Sequence, residues 1–336
     1  MRRSGRQQVA LLGAGIGLLL AGGVACTLPV DTLNPVTPQG LAISNLFNLA
    51  LALSALILAL VVGLLLVAIP RYRERPGAPE PPQIHGNRNL EIFWTATPAL
   101  LLTVIFFLTL RTMHVVDAAA PGALRVQVLG WQWWWEYRYP ELGVVTANEL
   151  HVPVGVPLEL ELTGGDVIHS FWAPQLIGKR DAIPGKWNVL RPQVQQPGIY
   201  DGACTEYCGM QHAWMRIRVV ATPPDQFDAW VRGQQQPAAP PPDPLAARGQ
   251  QVFLQHTCVN CHTIRGTPAD GRVGPDLTHF GSRTTLGAGV RANTPENLRE
   301  WIEHVQTVKP GALMPNFAGL PSADLDALVA YLQGLK

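Results

Sequence analysis

Two cysteine-containing stretches carry the residues of this chain that could bind metals or a cofactor. The first, CTEYCGMQHAWM, places Cys204, Cys208, His212 and Met215 within twelve residues. A disulfide would use the two cysteines but would leave the histidine and the methionine without a role. A mononuclear blue-copper site needs one cysteine, whereas two thiolates can bridge two copper ions. The stretch therefore favours a binuclear copper site, in which each copper also needs an imidazole.

His212 supplies one imidazole, and the second must come from another loop. His169, in the segment DVIHSFWAP, is the candidate. His151 also belongs to this part of the chain, but it lies among alternating strand residues and is interpreted as structural. Met210 is interpreted as a packing residue.

The second stretch, CVNCH, has the C-x-x-C-H spacing of c-type haem attachment through Cys258, Cys261 and His262. Two thiols bond to the haem vinyl groups, and the adjacent histidine reaches the iron. A redox dithiol, half of a zinc site and a structural disulfide are the alternatives. The sequence has no second C-x-x-C motif that could complete a zinc site, so covalent haem is the preferred interpretation.

The sixth iron ligand should lie well downstream of this motif. Met314, in KPGALMPNF, is the only methionine after Met215, and a thioether ligand raises the reduction potential as suits an electron carrier. His279 and His304 are alternatives, and both are interpreted as surface histidines. The segment GPDL, residues 274–277, is similar to the turn beside the haem of class I cytochromes c.

The elements that carry these sites begin with a predicted membrane anchor. Leu49–Ile69 and Ile92–Leu110 are uncharged runs of 21 and 19 residues, and about 20 residues of helix cross a bilayer core. The connector between them is rich in arginine, which favours a cytoplasmic position. We therefore predict a transmembrane hairpin over residues 27–120, with helices at about 45–69 and 91–112, and an exported C-terminal part.

The N-terminal segment, residues 1–26, has a basic start followed by an apolar stretch and small residues, which is typical of a signal peptide. An uncleaved first helix is the alternative. The sequence GGVAC also resembles a lipoprotein processing site with Cys26 as the lipidated residue. Export places the remaining cysteines in an oxidising compartment, where they pair unless something else holds them.

The exported part is predicted to contain two domains. Residues 121–222 alternate apolar and polar positions between Gly and Pro turns, which indicates a β-sandwich or barrel. Residues 223–244, rich in proline and glutamine, predict a semi-rigid extended linker. Residues 245–336 regain helical spacing, with Pro295 and Ser322 as predicted helix starts. The net charge of +1 gives no reason to expect a nucleic-acid partner.

With these motifs in place, the chain resembles cytochrome c oxidase subunit II, fused to a class I cytochrome c domain as in a bacterial branch of that family. The resemblance implies a cupredoxin-like β-sandwich followed by an all-α cytochrome c domain. It implies that Cys204 and Cys208 bridge the two coppers of a CuA centre, each copper taking one of His169 and His212. Met215 would be a weak ligand. Glu206 would bind through its carbonyl, and its side chain would reach a magnesium ion shared with subunit I.

Two further roles come from the resemblance alone. Trp133, in GWQWWWEYRYP, matches the tryptophan that admits electrons from cytochrome c. Glu91, in LEIFWTATPALLL, matches a glutamate at the cytoplasmic mouth of a proton-uptake path; a helix-end carboxylate that snorkels to the interface is the alternative. KRDAIPGKWN is similar to a family segment near the contact with subunit I.

The resemblance implies subunit II of a haem–copper terminal oxidase in a bacterial inner membrane, with its C-terminal domains on the periplasmic side. Electrons would pass from haem c to CuA and on to subunit I, where O2 is reduced to water with proton pumping. Expected partners are subunits I and III and a donor, either cytochrome c or a quinol:cytochrome c reductase. The alternatives are a CuA subunit of a nitric oxide reductase and a membrane-tethered carrier without an oxidase partner. Nitrous oxide reductase would need a large histidine-rich domain.

Overall fold

The computed structural model describes residues 31–336, so the predicted signal peptide and Cys26 lie outside the described residues. Two long apolar helices come first, α1 (Pro38–Arg71) and α2 (Arg88–Asp117). Thr37 caps α1 by accepting a hydrogen bond from the Gly40 N–H, and Asn87 caps α2 in the same way at Leu90. Both helices are long and apolar enough to cross a membrane, and each extends beyond its predicted bounds at both ends.

A β-sandwich follows the hairpin. Its strands are β1 (Leu124–Trp131), β2 (Trp134–Tyr139), β3 (Val144–Ala147), β4 (Glu149–Pro153), β5 (Leu158–Gly164), β6 (His169–Trp172), β7 (Arg180–Ala182), β8 (Asn188–Leu190), β9 (Gly198–Cys204) and β10 (Arg216–Thr222). One sheet has the order β3-β2-β1-β5-β8, and the other has the order β4-β10-β9-β6-β7. Alternate residues of each strand face the space between the sheets, as Leu158, Leu160 and Leu162 of β5 do. This confirms the predicted β-sandwich.

The sandwich is attached to the hairpin at both helix ends that face it. The segment before α1 runs beside the sandwich. There the Val36 N–H donates to the Gln175 carbonyl at 2.8 Å, and the Val36 carbonyl accepts the Gln195 N–H at 2.9 Å. At the end of α2, Asp117 pairs with Arg180 at 3.1 Å. The membrane anchor therefore meets the sandwich through direct contacts at two places.

The predicted linker contains a packed helix, α3 (Pro224–Gln234). Phe227 and Val231, one helical turn apart, are buried in the sandwich core, and Trp230 stacks on His151 with ring centroids 4.4 Å apart. The prediction of an extended segment is therefore wrong for residues 224–234. The proline-rich composition of the following residues concealed a helical spacing of apolar side chains that begins at Pro224.

The remaining linker residues run along the C-terminal domain. The Ala238 N–H donates to the Arg265 carbonyl at 2.9 Å, and His279 Nε2 lies 3.1 Å from the Gln236 carbonyl. The Arg265 guanidinium donates to the carbonyl of Gln234, the last residue of α3. The segment between the two domains is thus held by hydrogen bonds along much of its length.

The C-terminal domain is helical, as predicted, with α4 (Pro244–Gln255), α5 (Pro295–Val308) and α6 (Ser322–Gly334). The last two helices begin at the predicted residues. A ribbon of two short strands, β11 (Thr285–Leu286) and β12 (Arg291–Ala292), lies between α4 and α5. Helices α4 and α6 cross closely because Gly249 has no side chain; a Cβ there would meet the Ala327 carbonyl oxygen at 1.9 Å.

We expect Gly249→Ala to destabilise the C-terminal domain by about 1–3 kcal/mol, the range for overpacking a close contact. The control is Gly233→Ala in α3, where a Cβ would meet open space; this change should stabilise by about 0.5–1 kcal/mol because alanine favours the helix. Thermal unfolding of the full chain in detergent measures both. An unchanged melting temperature for Gly249→Ala would show that the helices separate without cost.

Candidate metal centre and haem cavity

The loop between β9 and β10 gathers the first group of predicted ligands. The Cys204 and Cys208 Sγ atoms lie 3.8 Å apart, Cys208 Sγ lies 3.6 Å from His212 Nδ1, and it lies 3.9 Å from Met215 Sδ. Both cysteines are free and buried, as is Met215. The Cys204 N–H donates to the Met215 carbonyl at 3.0 Å and closes the base of the loop. Four of the predicted ligands therefore converge on one buried point.

His169, at the start of β6, completes the cluster. Its ring nitrogen and the sulfur atoms of Cys204 and Cys208 lie within 4.8 Å of one another. His169 Nε2 lies 2.8 Å from Asp166 Oδ1, whereas Nδ1 is buried and has no hydrogen-bond partner among residues 31–336. A Cβ on Gly130 would meet the imidazole at 2.7 Å, so this position on β1 leaves room for the ring. An unpartnered buried nitrogen beside two thiols is the arrangement that a metal ligand requires.

The electrostatics of the cluster favour a thiolate. The contact with Cys208 lowers the pKa of Cys204, and the neighbouring His169 and backbone N–H groups lower it further despite burial. Burial opposes protonation of His169, but the carboxylate of Asp166 and the nearby Cys204 raise its pKa above the usual value. Soft sulfur and imidazole donors together suit copper. The residues present fit a binuclear copper centre.

Glu206 contributes its carbonyl to the same point. Its carbonyl oxygen lies 3.3 Å from Cys204 Sγ, as the predicted backbone ligand requires. The side chain instead points to the surface, where it lies 4.0 Å from Lys179 Nζ. The predicted magnesium site at this carboxylate stays a prediction.

Asp166 is a site residue that the sequence reasoning missed. Its Oδ1 contacts His169, and its Oδ2 accepts the Gln132 N–H at 2.7 Å. Burial raises the pKa of Asp166, but the hydrogen bonds from His169, Val167 and Gln132 outweigh it and hold the pKa below its usual value. A metal-bound histidine commonly donates its other N–H to a carboxylate. The signal was available in the sequence as an aspartate three residues before His169.

The C-x-x-C-H motif lines a cavity of about 340 Å³ in the C-terminal domain. Backbone hydrogen bonds from Cys261 and His262 to the Cys258 carbonyl, at 3.2 and 3.0 Å, form a turn that presents all three side chains to the cavity. His262 Nδ1 lies 2.8 Å from the Pro275 carbonyl, which leaves Nε2 as the ring nitrogen that can bind a metal. Burial lowers the pKa of His262, which keeps the imidazole neutral as a ligand must be. Met314 also lines the cavity, as predicted for the sixth ligand.

The remaining walls of this cavity suit a large apolar group with an anionic edge. Phe253, Leu277 and Ile302 are among its apolar lining residues. The half-buried Arg283 also lines it, and its Nε is buried without a hydrogen-bond partner in the part of the chain that the structure describes. Burial raises the pKa of Cys258 to about 11, which favours the uncharged thiol in this apolar cavity. The residues fit covalent haem with carboxylate substituents.

The alternative histidine ligands do not line this cavity. His304 is exposed on α5, as predicted. His279 is buried rather than at the surface, because its imidazole contacts the Gln236 carbonyl of the linker. Met210, interpreted as a packing residue, has 69% of its surface exposed, so that interpretation is wrong. Met210 extends from the loop between β9 and β10, here named the metal loop, towards Gly311 of the C-terminal domain.

Trp133 lies between the two sites. Its indole Nε1 donates to the Cys208 carbonyl at 2.9 Å, and its ring lines the cavity that contains Cys258 and Met314. One side chain thus contacts the loop of the predicted copper ligands and the wall of the predicted haem site. Trp131 and Trp134 stack on each other, and Trp134 also lines the cavity, whereas Trp135 is buried in the core.

Glu91 lies at the start of α2, away from both sites. Its carboxylate accepts the Asn87 N–H at 3.2 Å, which satisfies a free donor at the helix N-terminus. The Glu91 side chain is exposed. This helix-end position accounts for the residue locally, and the predicted part in proton uptake stays a prediction.

Comparison with known family profiles agrees with this division of the chain. A profile described as "Cytochrome C oxidase subunit II, transmembrane domain" matches residues 33–112, and one described as "Cytochrome C oxidase subunit II, periplasmic domain" matches residues 144–222. A third, described as "Cytochrome c", matches residues 246–336. The three matches follow the hairpin, the sandwich and the helical domain in turn.

Curated relatives match along most of the chain. A protein named "Cytochrome c oxidase subunit 2" from Alkalihalophilus pseudofirmus is 36% identical over 314 residues, which cover 91% of each chain. The protein of the same name from Bacillus subtilis is 32% identical over 356 residues, with 98% of each chain covered. A protein named "Quinol oxidase subunit 2" from Bacillus cereus is 32% identical over 228 residues, covering 66% of this chain and 78% of the relative.

We expect Asp166→Ala to lower copper affinity by about 10–100-fold, the usual cost of removing the partner of a metal-bound histidine. The variant frees both His169 and the Gln132 N–H. Competitive titration against a copper chelator measures the affinity, and electron paramagnetic resonance follows the spectrum. The control is Glu141→Ala, which removes an exposed carboxylate paired with Arg125 on the same domain. Unchanged affinity and an unchanged spectrum in Asp166→Ala would show that packing alone orients His169.

Proposed function

Because the chain belongs to the cytochrome c oxidase subunit II family, and therefore works with subunit I in a haem–copper oxidase, we propose that it is the subunit through which electrons enter that enzyme. Electrons would arrive at the haem site formed by Cys258, Cys261, His262 and Met314. They would cross to the metal loop and leave for subunit I. There O2 would be reduced to water with proton pumping. The observation that carries this proposal is the position of Trp133, which contacts both sites.

The two bound groups would supply one-electron redox chemistry, and the protein supplies their surroundings. The predicted ligands of each site are buried or half-buried and come from segments anchored to strands or helices, which limits movement when charge changes. Two cysteines, two histidines, Met215 and the Glu206 carbonyl would hold the copper centre. The hydrogen bond from Trp133 to the Cys208 carbonyl links the aromatic ring to a predicted copper ligand through few bonds. These contacts support a direct route through this chain.

We propose subunit III as an additional partner and cytochrome c or a quinol:cytochrome c reductase as the donor. The likeness to a protein named as a quinol oxidase subunit makes quinol itself worth testing as a donor. The C-x-x-C-H motif and the copper cluster favour electron delivery to the haem site. The complex should therefore oxidise a reduced cytochrome c and should not oxidise quinol directly.

We place the sandwich and the C-terminal domain on the periplasmic side of a bacterial inner membrane. The connector between α1 and α2 carries Arg71, Arg73, Arg75 and Arg88, which favours its retention in the cytoplasm. Both helix ends that meet the sandwich lie at the opposite end of the hairpin. Protease added to intact spheroplasts should degrade the two domains, and their protection would reverse this orientation.

The function is tested on the complex purified through a tag on this chain. We expect subunit I to co-purify and the complex to consume O2 with reduced cytochrome c as the donor. Consumption of nitric oxide without O2 would assign the chain to a nitric oxide reductase. Recovery of this chain alone, loaded with copper and haem, would support a tethered electron carrier instead.

Within that complex, Trp133→Phe should slow electron transfer between the haem site and the copper site by about tenfold or more, equivalent to about 1.4 kcal/mol in the barrier. The phenyl ring removes both the N–H donor to Cys208 and part of the contact with the cavity. The matched control is Trp131→Phe, a neighbouring aromatic outside the cavity wall. Laser photoreduction of the haem, followed by its visible band, measures the rate. Equal rates in both variants would remove Trp133 from the route.

A further inference from the structure

A buried lysine lies where the C-terminal domain meets the sandwich. Lys309 is 3% exposed, and its ammonium donates to the carbonyls of Trp133, Trp214 and Gly287 at 2.8, 2.9 and 2.7 Å. Trp133 lies in the turn between β1 and β2, and Trp214 lies in the metal loop. Gly287 belongs to the C-terminal domain itself. One side chain of the C-terminal domain thus connects the Trp133 turn and the metal loop of the sandwich to its own fold.

The chemistry of this contact is specific to an ammonium group. Its three N–H donors match three carbonyls, and among the described residues Lys309 forms no salt bridge. Burial of a charge costs free energy unless polar partners compensate it, and burial lowers the pKa of Lys309 to about 7. A lysine that served only to keep its domain soluble would remain in water. Its burial against two loops of another domain indicates a selective contact.

The residues after Lys309 extend the same contact. Gln211 Nε2, in the metal loop, donates to the Pro310 carbonyl at 2.8 Å. At Gly311 the backbone has φ +84°, and a Cβ there would lie 3.2 Å from Met210 Sδ and 3.5 Å from the Trp133 ring. The chain then continues directly to Met314, which lines the haem cavity. The segment Lys309–Met314 therefore joins the docking contact to the predicted axial ligand.

A second anchor lies apart from the lysine. The Glu149 carboxylate on β4 is buried and accepts the Thr284 N–H, the Thr284 hydroxyl and the Thr285 N–H at 2.8, 2.5 and 3.1 Å. Arg218 on β10 also donates to the Thr284 hydroxyl at 2.9 Å. Loss of Lys309 would therefore leave the domain attached at Thr284 and Thr285, while the side that carries Trp133 would keep the Gln211–Pro310 and Arg216–Ala288 hydrogen bonds and would be held less firmly.

We propose that Lys309 is the positioning residue that holds the haem-binding domain against Trp133 and the metal loop. In this arrangement the two redox sites stay docked, and electron transfer does not wait for diffusion of a tethered domain. The proposal rests on the proposed function, electron transfer between the two sites of this chain. The alternative is a purely structural lysine that stabilises the C-terminal domain through its bond to Gly287.

The test compares Lys309→Met with the wild type in the purified oxidase complex. Methionine keeps much of the length of the side chain and removes the charge and all three donors. Lys309→Gln, which keeps an amide donor without the charge, serves if the methionine variant loses haem. Lys336→Met is the matched control, because Lys336 is exposed at the end of the same domain. Absorption spectra and copper content confirm that both sites are loaded.

Three readouts separate positioning from folding. We expect Lys309→Met to slow haem-to-copper electron transfer by about tenfold or more, since three carbonyl groups lose their shared hydrogen-bond donor at once. The rate should depend on solvent viscosity in the variant but not in the wild type. Pulsed electron paramagnetic resonance between the two centres should give a broader distance distribution in the variant. The haem reduction potential and the Lys336→Met rates should stay unchanged.

The outcomes distinguish this proposal from the one on which it rests. A wild-type complex that transfers no electron between the two sites would overturn the proposed function. A wild-type complex that does so, together with a loaded Lys309→Met variant of equal rate and equal distance distribution, would overturn the role of Lys309 alone. A shifted haem potential with an unchanged distance distribution would assign Lys309 to the fold of its own domain.

Discussion

The pairing of β6 with β9 is the constraint on which the metal cluster depends. The register sets Phe171 opposite Cys204, which brings His169 at the start of β6 to the end of β9. The partner strand β10 pairs Arg216 with Ala203, so the loop that joins β9 and β10 must return Met215 to the same point. A shift of one residue would turn the cysteine to the other face of the sheet. The strands thus fix where the donors meet, and the loop adds Cys208 and His212.

Much of each site could be predicted from the sequence because its ligands are close together in the chain. Cys204, Cys208, His212 and Met215 share one loop, and the C-x-x-C-H motif forms a single turn. His169 was a candidate because a second imidazole was needed and His151 lay among strand residues, since no local spacing connects His169 with residues 35 or more positions away. The helices of the C-terminal domain followed from apolar spacing, and the start residues Pro295 and Ser322 were correct.

What could not be predicted is the set of contacts between distant segments. Lys309 and Trp133 are 176 residues apart, and no spacing rule relates a lysine to carbonyls in two other loops. His279 looked like a surface histidine because its buried surroundings are created by the linker that folds over it. Helix α3 is a different case: its apolar spacing was present in the sequence, but the neighbouring prolines suggested an extended chain.

These long-range contacts change how the two domains work together. A flexible linker of this length would give one domain an effective concentration in the millimolar range near the other, and each transfer would await an encounter. The structure instead holds the linker through α3 and Arg265 and holds the domain face through Glu149 and Lys309. A fixed arrangement leaves Trp133 in contact with both sites, while part of its surface is covered by the C-terminal domain. On the proposed electron route, an external donor would therefore meet the haem-binding domain first, because that domain already covers part of Trp133.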